Sequence, residues 1–118
     1  MKLLRSFSFA VNGVKTCFAS EANFKIHTVF AMLAIGFGFI LNISHNEWLA
    51  VIGCIAFVTA MEMINTAIEK LCDVVKQDIH PSIKKVKDIA AGAVMMAAIG
   101  SLIIGLIIFL PKIIVFLK

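Results

Sequence analysis

Charge is scarce in this sequence. Asp, Glu, Lys and Arg make up 15% of its 118 residues, apolar residues make up 61%, and the mean hydropathy is +1.02. A soluble domain is nearer about half apolar and about a quarter charged. That excludes an ordinary water-soluble globule, and a membrane protein with one domain spanning residues 1–118 is expected. Cysteine is also sparse: Cys17, Cys54 and Cys72 are odd in number, far apart, and in or beside apolar segments. They offer no paired metal spacing and read as small apolar helix residues. No basic patch carries exposed aromatics, so no nucleic-acid partner is expected. Residues 1–20 hold Arg5 and Lys15 inside the candidate apolar core, so no removable signal peptide is expected, and neither end shows a lipidation motif. Internal repeats, low-complexity tracts and linkers are missing too.

What is there is long apolar runs. The first covers about residues 28–44, the second about 48–66 and the third about 89–110, with a possible extension past Pro111 to Phe116. A spanning helix needs roughly 20 residues, with about 17 as the lower limit. The predicted class is therefore all-α: three transmembrane helices after a different N-terminal segment. In that segment Leu4, Phe7, Val11, Val14 and Phe18 recur at helical spacing, while Arg5, Ser8, Asn12 and Lys15 fall on another face. This predicts an amphipathic surface helix over about 4–20, too polar to span and suited to the membrane interface.

The basic residues set a topology. The link "SHNE" between the first two runs has no Lys or Arg, whereas the link between the second and third has five, at 70, 76, 84, 85 and 87. By the positive-inside rule that second link and the N-terminus are cytoplasmic, and the C-terminus is outside. Lys112 and Lys118 are the minority on the other side. Ala90, Ala91, Ala93, Ala97, Ala98 and Gly100 allow close helix approach. Three short spans bury little surface, so an oligomer is expected.

The carboxylates are the anomaly. Residues 62–73 read "EMINTAIEKLCD" at the end of an apolar run. On a helix, Glu69 and Asp73 fall within roughly 20° of Glu62, and Asn65 flanks the same stripe. An unpaired charge inside the bilayer costs roughly 2.5 kcal/mol or more. A plain explanation is a structural ion pair of Glu62 with Lys70, Lys76 or Lys87. The functional one divides the stripe by depth. Glu62 and Glu69 are on the order of 10 Å apart along the axis. Glu69 and Asp73 lie on the water side, where a metal-nucleotide can reach. Glu62 lies on the lipid side, where desolvation strengthens a carboxylate that takes a proton from a lipid hydroxyl. Glu21 and Asp88 sit near the same interface. Hard oxygen ligands there suit Mg²⁺ with phosphates. Lys84, Lys85 and Lys87 could meet phosphate or merely obey the charge rule. No GxxxxGK[ST] loop and no kinase GxGxxG loop is present. A cation transporter subunit using the same acids fits these residues nearly as well.

Three segments carry a resemblance. "EMINTAIEKLCD" (62–73) resembles the E-x-x-N-[ST]-A-I-E-x-x-x-D signature of the small prokaryotic diacylglycerol kinase and undecaprenol kinase family. "EANFKIH" (21–27) resembles its E-x-N-F-[RK]-x-H segment, and "KDIAAGAV" (87–94) its K-D-x-[AG]-[AS]-[AG]-A-V segment. The three occur in the family's order and the match covers nearly the whole chain. The resemblance implies a homotrimeric membrane enzyme of one surface helix and three transmembrane helices. It implies MgATP as phosphoryl donor, a lipid alcohol (diacylglycerol or undecaprenol) as acceptor, and active sites shared between neighbouring subunits in the bacterial cytoplasmic membrane. It makes Glu62 the general base, next to the lipid substrate with Asn65. Glu69 becomes a metal ligand near the ATP phosphates, with Glu21 as its partner acid. Asn65, Asp73, Lys87 and Asp88 become polar residues of the active site, the last two on the nucleotide side, and His80 a residue near the nucleotide. Lys2 falls where the family often has a base. Phe9 stands where some members carry Tyr, and His27 follows the form common among members assigned to undecaprenol. A transporter would place its acids near the bilayer midplane, whereas all but Glu62 lie at the ends of the spans.

Overall fold

The computed structural model describes residues 1–75 and 81–118. They form four α-helices: α1 Lys2–Ser20, α2 Ala22–Ile40, α3 His45–Val75 and α4 Pro81–Leu117. No strand occurs among the described residues. The chain is all-α, and α2, α3 and α4 are each long and apolar enough to cross a membrane.

α1 and α2 meet at a corner. Glu21 has extended backbone (φ −118, ψ 115), so it closes one helix and opens the next. Its N–H still donates to Cys17 O at 3.0 Å. Phe18 and Phe24 pack edge to face across the corner, ring centres 6.4 Å apart. The apolar stripe of α1, with Leu4, Phe7, Val11 and Val14, is exposed rather than packed on protein, and Phe18 stays exposed apart from its contact with Phe24. A Cβ on Gly13 would sit 3.9 Å from Met63 Cε, so α1 passes α3 next to Glu62.

The first apolar run does not stay helical to residue 44. α2 ends at Ile40, and Asn42 takes a left-handed conformation with φ 51. Asn tolerates that region better than most residues. Ile43 N–H then reaches back to Gly38 O at 3.2 Å. α3 starts with a capping box: Ser44 N–H donates to Glu47 Oε1 at 2.8 Å, and Glu47 N–H donates to Ser44 Oγ at 3.2 Å. Glu47 also meets Lys112 Nζ at 3.2 Å, which pins the start of α3 to the end of α4.

α3 is longer than the second apolar run. It continues through the acidic stretch to Val75, so hydrophobic span and acidic face are one rigid element. α4 is longer than the third, and runs through Pro111 to Leu117. Pro111 removes one backbone donor, a loss that membrane helices tolerate where neighbours or local adjustment re-satisfy the carbonyl. α3 and α4 lie antiparallel and share the largest interface, through small and β-branched residues such as Ala90, Val94 and Ala97. Only 11%, 22% and 11% of the apolar windows of α2, α3 and α4 are buried, so the chain by itself leaves most of their surface uncovered.

Candidate active site

The acidic stripe of α3 is graded in burial. Glu62 is 4% exposed and Thr66 3%, Asn65 and Glu69 are half-buried, and Asp73 is exposed. The gradient follows the helix from the packed span towards its polar end.

The partner of Glu62 comes from α2, and it is not a lysine. His27 Nδ1 lies 2.8 Å from Glu62 Oε1. The ring N–H does not point along that line, so the two sit at ion-pair distance rather than in an aligned hydrogen bond. Lys70 is exposed and Lys87 is engaged elsewhere, while Lys76 lies outside the described residues. A single His at the head of one apolar run and a single Glu at the tail of the next were the available signal. The spacing of α2 against α3, which brings them together, is tertiary.

One turn on, Asn65 Nδ2 donates to Glu69 Oε1 at 3.3 Å. Asn65 Oδ1 is buried and has no hydrogen-bond partner. A free amide oxygen thus stands beside a carboxylate, a hard oxygen donor set of the kind Mg²⁺ takes together with phosphate. Among the described residues no three His, Cys, Asp or Glu side chains gather closely enough to hold a metal between them. Two carboxylates plus nucleotide phosphates need no such triad.

Asp73 is tied to α4: Lys87 Nζ donates to Asp73 Oδ1 at 2.7 Å. Lys87 precedes the apolar run of residues 89–110. The hydrogen bond it donates to Asp73 above all, then nearby negative charge, holds its ammonium above the ordinary lysine range, so it stays cationic. Asp88 turns the other way and pairs with Lys84 at 2.8 Å, on the exposed side of α4. Glu21 sits half-buried at the α1–α2 corner. A single chain thus brings Glu69, Asp73 and Lys87 together at one end of α3, with Glu62 and His27 deeper, and pairs Asp88 elsewhere. His80 lies outside the described residues.

An apolar groove of about 610 Å³ runs between α2, α3 and α4. His27 is at one end of it, with Phe30, Val58, Thr59 and Leu102 along its walls.

A buried carboxylate, oxygen donors and a fixed cation further along α3 towards its polar end, and an apolar groove that leads away from His27 on the other side suit phosphoryl transfer at an interface. The model of the prokaryotic diacylglycerol kinase family matches residues 8–109. The chain belongs to that family. It is a lipid kinase: an enzyme that uses ATP to phosphorylate a membrane lipid alcohol. The chain is 39% identical to the undecaprenol kinase of Bacillus subtilis, over 94% of this chain and 90% of the relative. It is 38% identical to a diacylglycerol kinase of Synechocystis, over 92% of this chain and 63% of the longer relative. A diacylglycerol kinase of Helicobacter pylori is 30% identical over 83% of this chain and 77% of its own length. The cation transporter reading of the same acids is not favoured.

Proposed function

We propose that this kinase moves the γ-phosphoryl group of ATP onto the hydroxyl of diacylglycerol or undecaprenol at the cytoplasmic membrane interface, with Glu62 as general base. The observation that carries the base assignment is the burial of Glu62, 4% exposed, next to His27 on the packed side of α3. Among the described residues no lysine pairs with it there, which leaves a carboxylate free to take a proton. As the acceptor oxygen bonds to the γ-phosphorus, the bond from that phosphorus to the bridging oxygen breaks and ADP leaves. The hydroxyl proton goes to Glu62.

The water-side residues bind the donor. Asn65 fixes the orientation of Glu69 by its amide, and Lys87 offers a cation that Asp73 keeps in place. Glu69 and Glu21 would hold Mg²⁺ brought with the nucleotide, and the ion would supply charge neutralisation at the phosphates. Asp88 and His80 are assigned to the nucleotide side. The positive-inside distribution supports a cytoplasmic N-terminus and an external C-terminus.

The unit is proposed to be a homotrimer of one-domain chains, with active sites shared between neighbours. The large unpacked apolar surface of α2, α3 and α4 supports self-association. Nucleotide-dependent transfer assayed with diacylglycerol and undecaprenol side by side decides the acceptor. One lipid should be used at least about tenfold better in kcat/KM, a difference of about 1.4 kcal/mol in transition-state binding. Equal rates on both would assign the enzyme to the lipid hydroxyl alone and not to its chains.

A further inference from the structure

Glu62 has one partner among the described residues, and that partner is on another helix. His27 Nδ1 is buried, while the imidazole as a whole keeps 29% of its side-chain surface exposed and borders the apolar groove. The ring therefore presents one nitrogen to the carboxylate and another part of its edge to the groove. Glu62 has several rotatable bonds and, without His27, no other partner among the described residues to choose between its two oxygens.

We propose that His27 is a positioning residue for Glu62: its Nδ1–H holds Oε1 and leaves Oε2 as the oxygen that meets the acceptor hydroxyl. The proposal rests on Glu62 being the general base. The histidine χ2 torsion is broad, so a modest ring rotation converts the 2.8 Å contact into an aligned hydrogen bond. Neutral imidazole with its proton on Nδ1 and imidazolium both donate from that atom. His27 touches neither nucleotide nor acceptor in this role and acts through the carboxylate alone.

The test compares His27→Leu, His27→Asn and Glu62→Gln, with the double variant, as full chains in mixed micelles. Loss of a positioning contact costs about 10- to 100-fold in rate. His27→Leu should lose that much in kcat, with the KM for ATP unchanged within about twofold. His27→Asn, whose amide nitrogen can take the Nδ1 place, should recover a substantial part of it. The double variant should be no slower than Glu62→Gln. Parental kcat in His27→Leu overturns the inference, as does a loss confined to the KM for ATP, or His27→Asn no better than His27→Leu. Should His27→Leu fail to fold, a folded His27→Asn at parental thermal stability but with kcat as low as Glu62→Gln also overturns it. If Glu62→Gln itself keeps turnover, the base assignment fails first. If only Glu62→Gln is dead and His27→Leu is not, the positioning role alone fails.

Discussion

Asn65 and Glu69 show what the account demands of single residues. Asn65 spends its amide on Glu69 Oε1 at 3.3 Å and leaves Oδ1 buried without a partner. A buried unpaired acceptor carries a cost of about 1–3 kcal/mol, and binding a cation relieves it. Glu69→Gln should therefore lower activity by about 100-fold or more, with weaker MgATP binding, since it removes a charge from the site meant for the metal. Titration of the variant with Mg²⁺ and nucleotide checks this; unchanged affinity and rate would contradict the ligand role. The sequence already pointed to Glu62, Asn65 and Glu69, because a helix period places them on one stripe. It did not point to His27 as the partner of Glu62. Periodicity reports the face a residue occupies within its own helix, and this contact depends on how α2 leans on α3.

The helices carry their own predictions. α2 approaches α3 closely at Gly38, where a Cβ would fall 2.7 Å from Trp48 Cη2 and 2.9 Å from Cζ2. The indole is rigid and already packs on Phe39, with ring centres 4.9 Å apart. Gly38→Ala should destabilise the fold by about 1–3 kcal/mol, the usual cost of overpacking. Gly36→Ala has nothing within 4 Å of its new methyl and should be neutral or gain up to about 1 kcal/mol from helix propensity. Denaturant titration in detergent separates the pair, and equal effects would contradict the packing at the turn. The strap between α3 and α4 is weaker. Lys87 and Asp73 meet at 2.7 Å with side chains 39% and 67% exposed, a setting in which water screens an ion pair and leaves it little weight in stability. Asp73→Asn should thus leave thermal stability within a degree or two of the parent while raising the KM for ATP. Spans and surface helix were legible as hydropathy and period; their ends were not. The stop of α2 at Ile40 and the start of α3 at His45 depend on a left-handed Asn42 and on the Ser44–Glu47 capping box.

At the scale of the whole molecule, the chain is greasy because its acceptor stays in the bilayer. Its helices leave most of their apolar surface uncovered, and Glu21, Glu69 and Asp88 do not gather into one metal-holding group within a chain. The proposed trimer, in which neighbouring copies cover the one and complete the other, would account for both facts. In mild detergent the active species should therefore have the protein mass of three chains, measured by light scattering with the detergent contribution subtracted. A monomer with full turnover would contradict the shared site.

The most direct measurement is transfer of labelled phosphate from ATP to lipid by the wild-type chain and by Glu62→Gln, each with and without Mg²⁺, alongside nucleotide binding to both. Wild type should label the lipid hydroxyl only with Mg²⁺ present. Glu62→Gln should lose at least about 100-fold with nucleotide binding intact. Near-parental turnover by Glu62→Gln, or its failure to bind nucleotide, would contradict the division of the α3 stripe into a lipid-side base and a water-side nucleotide site.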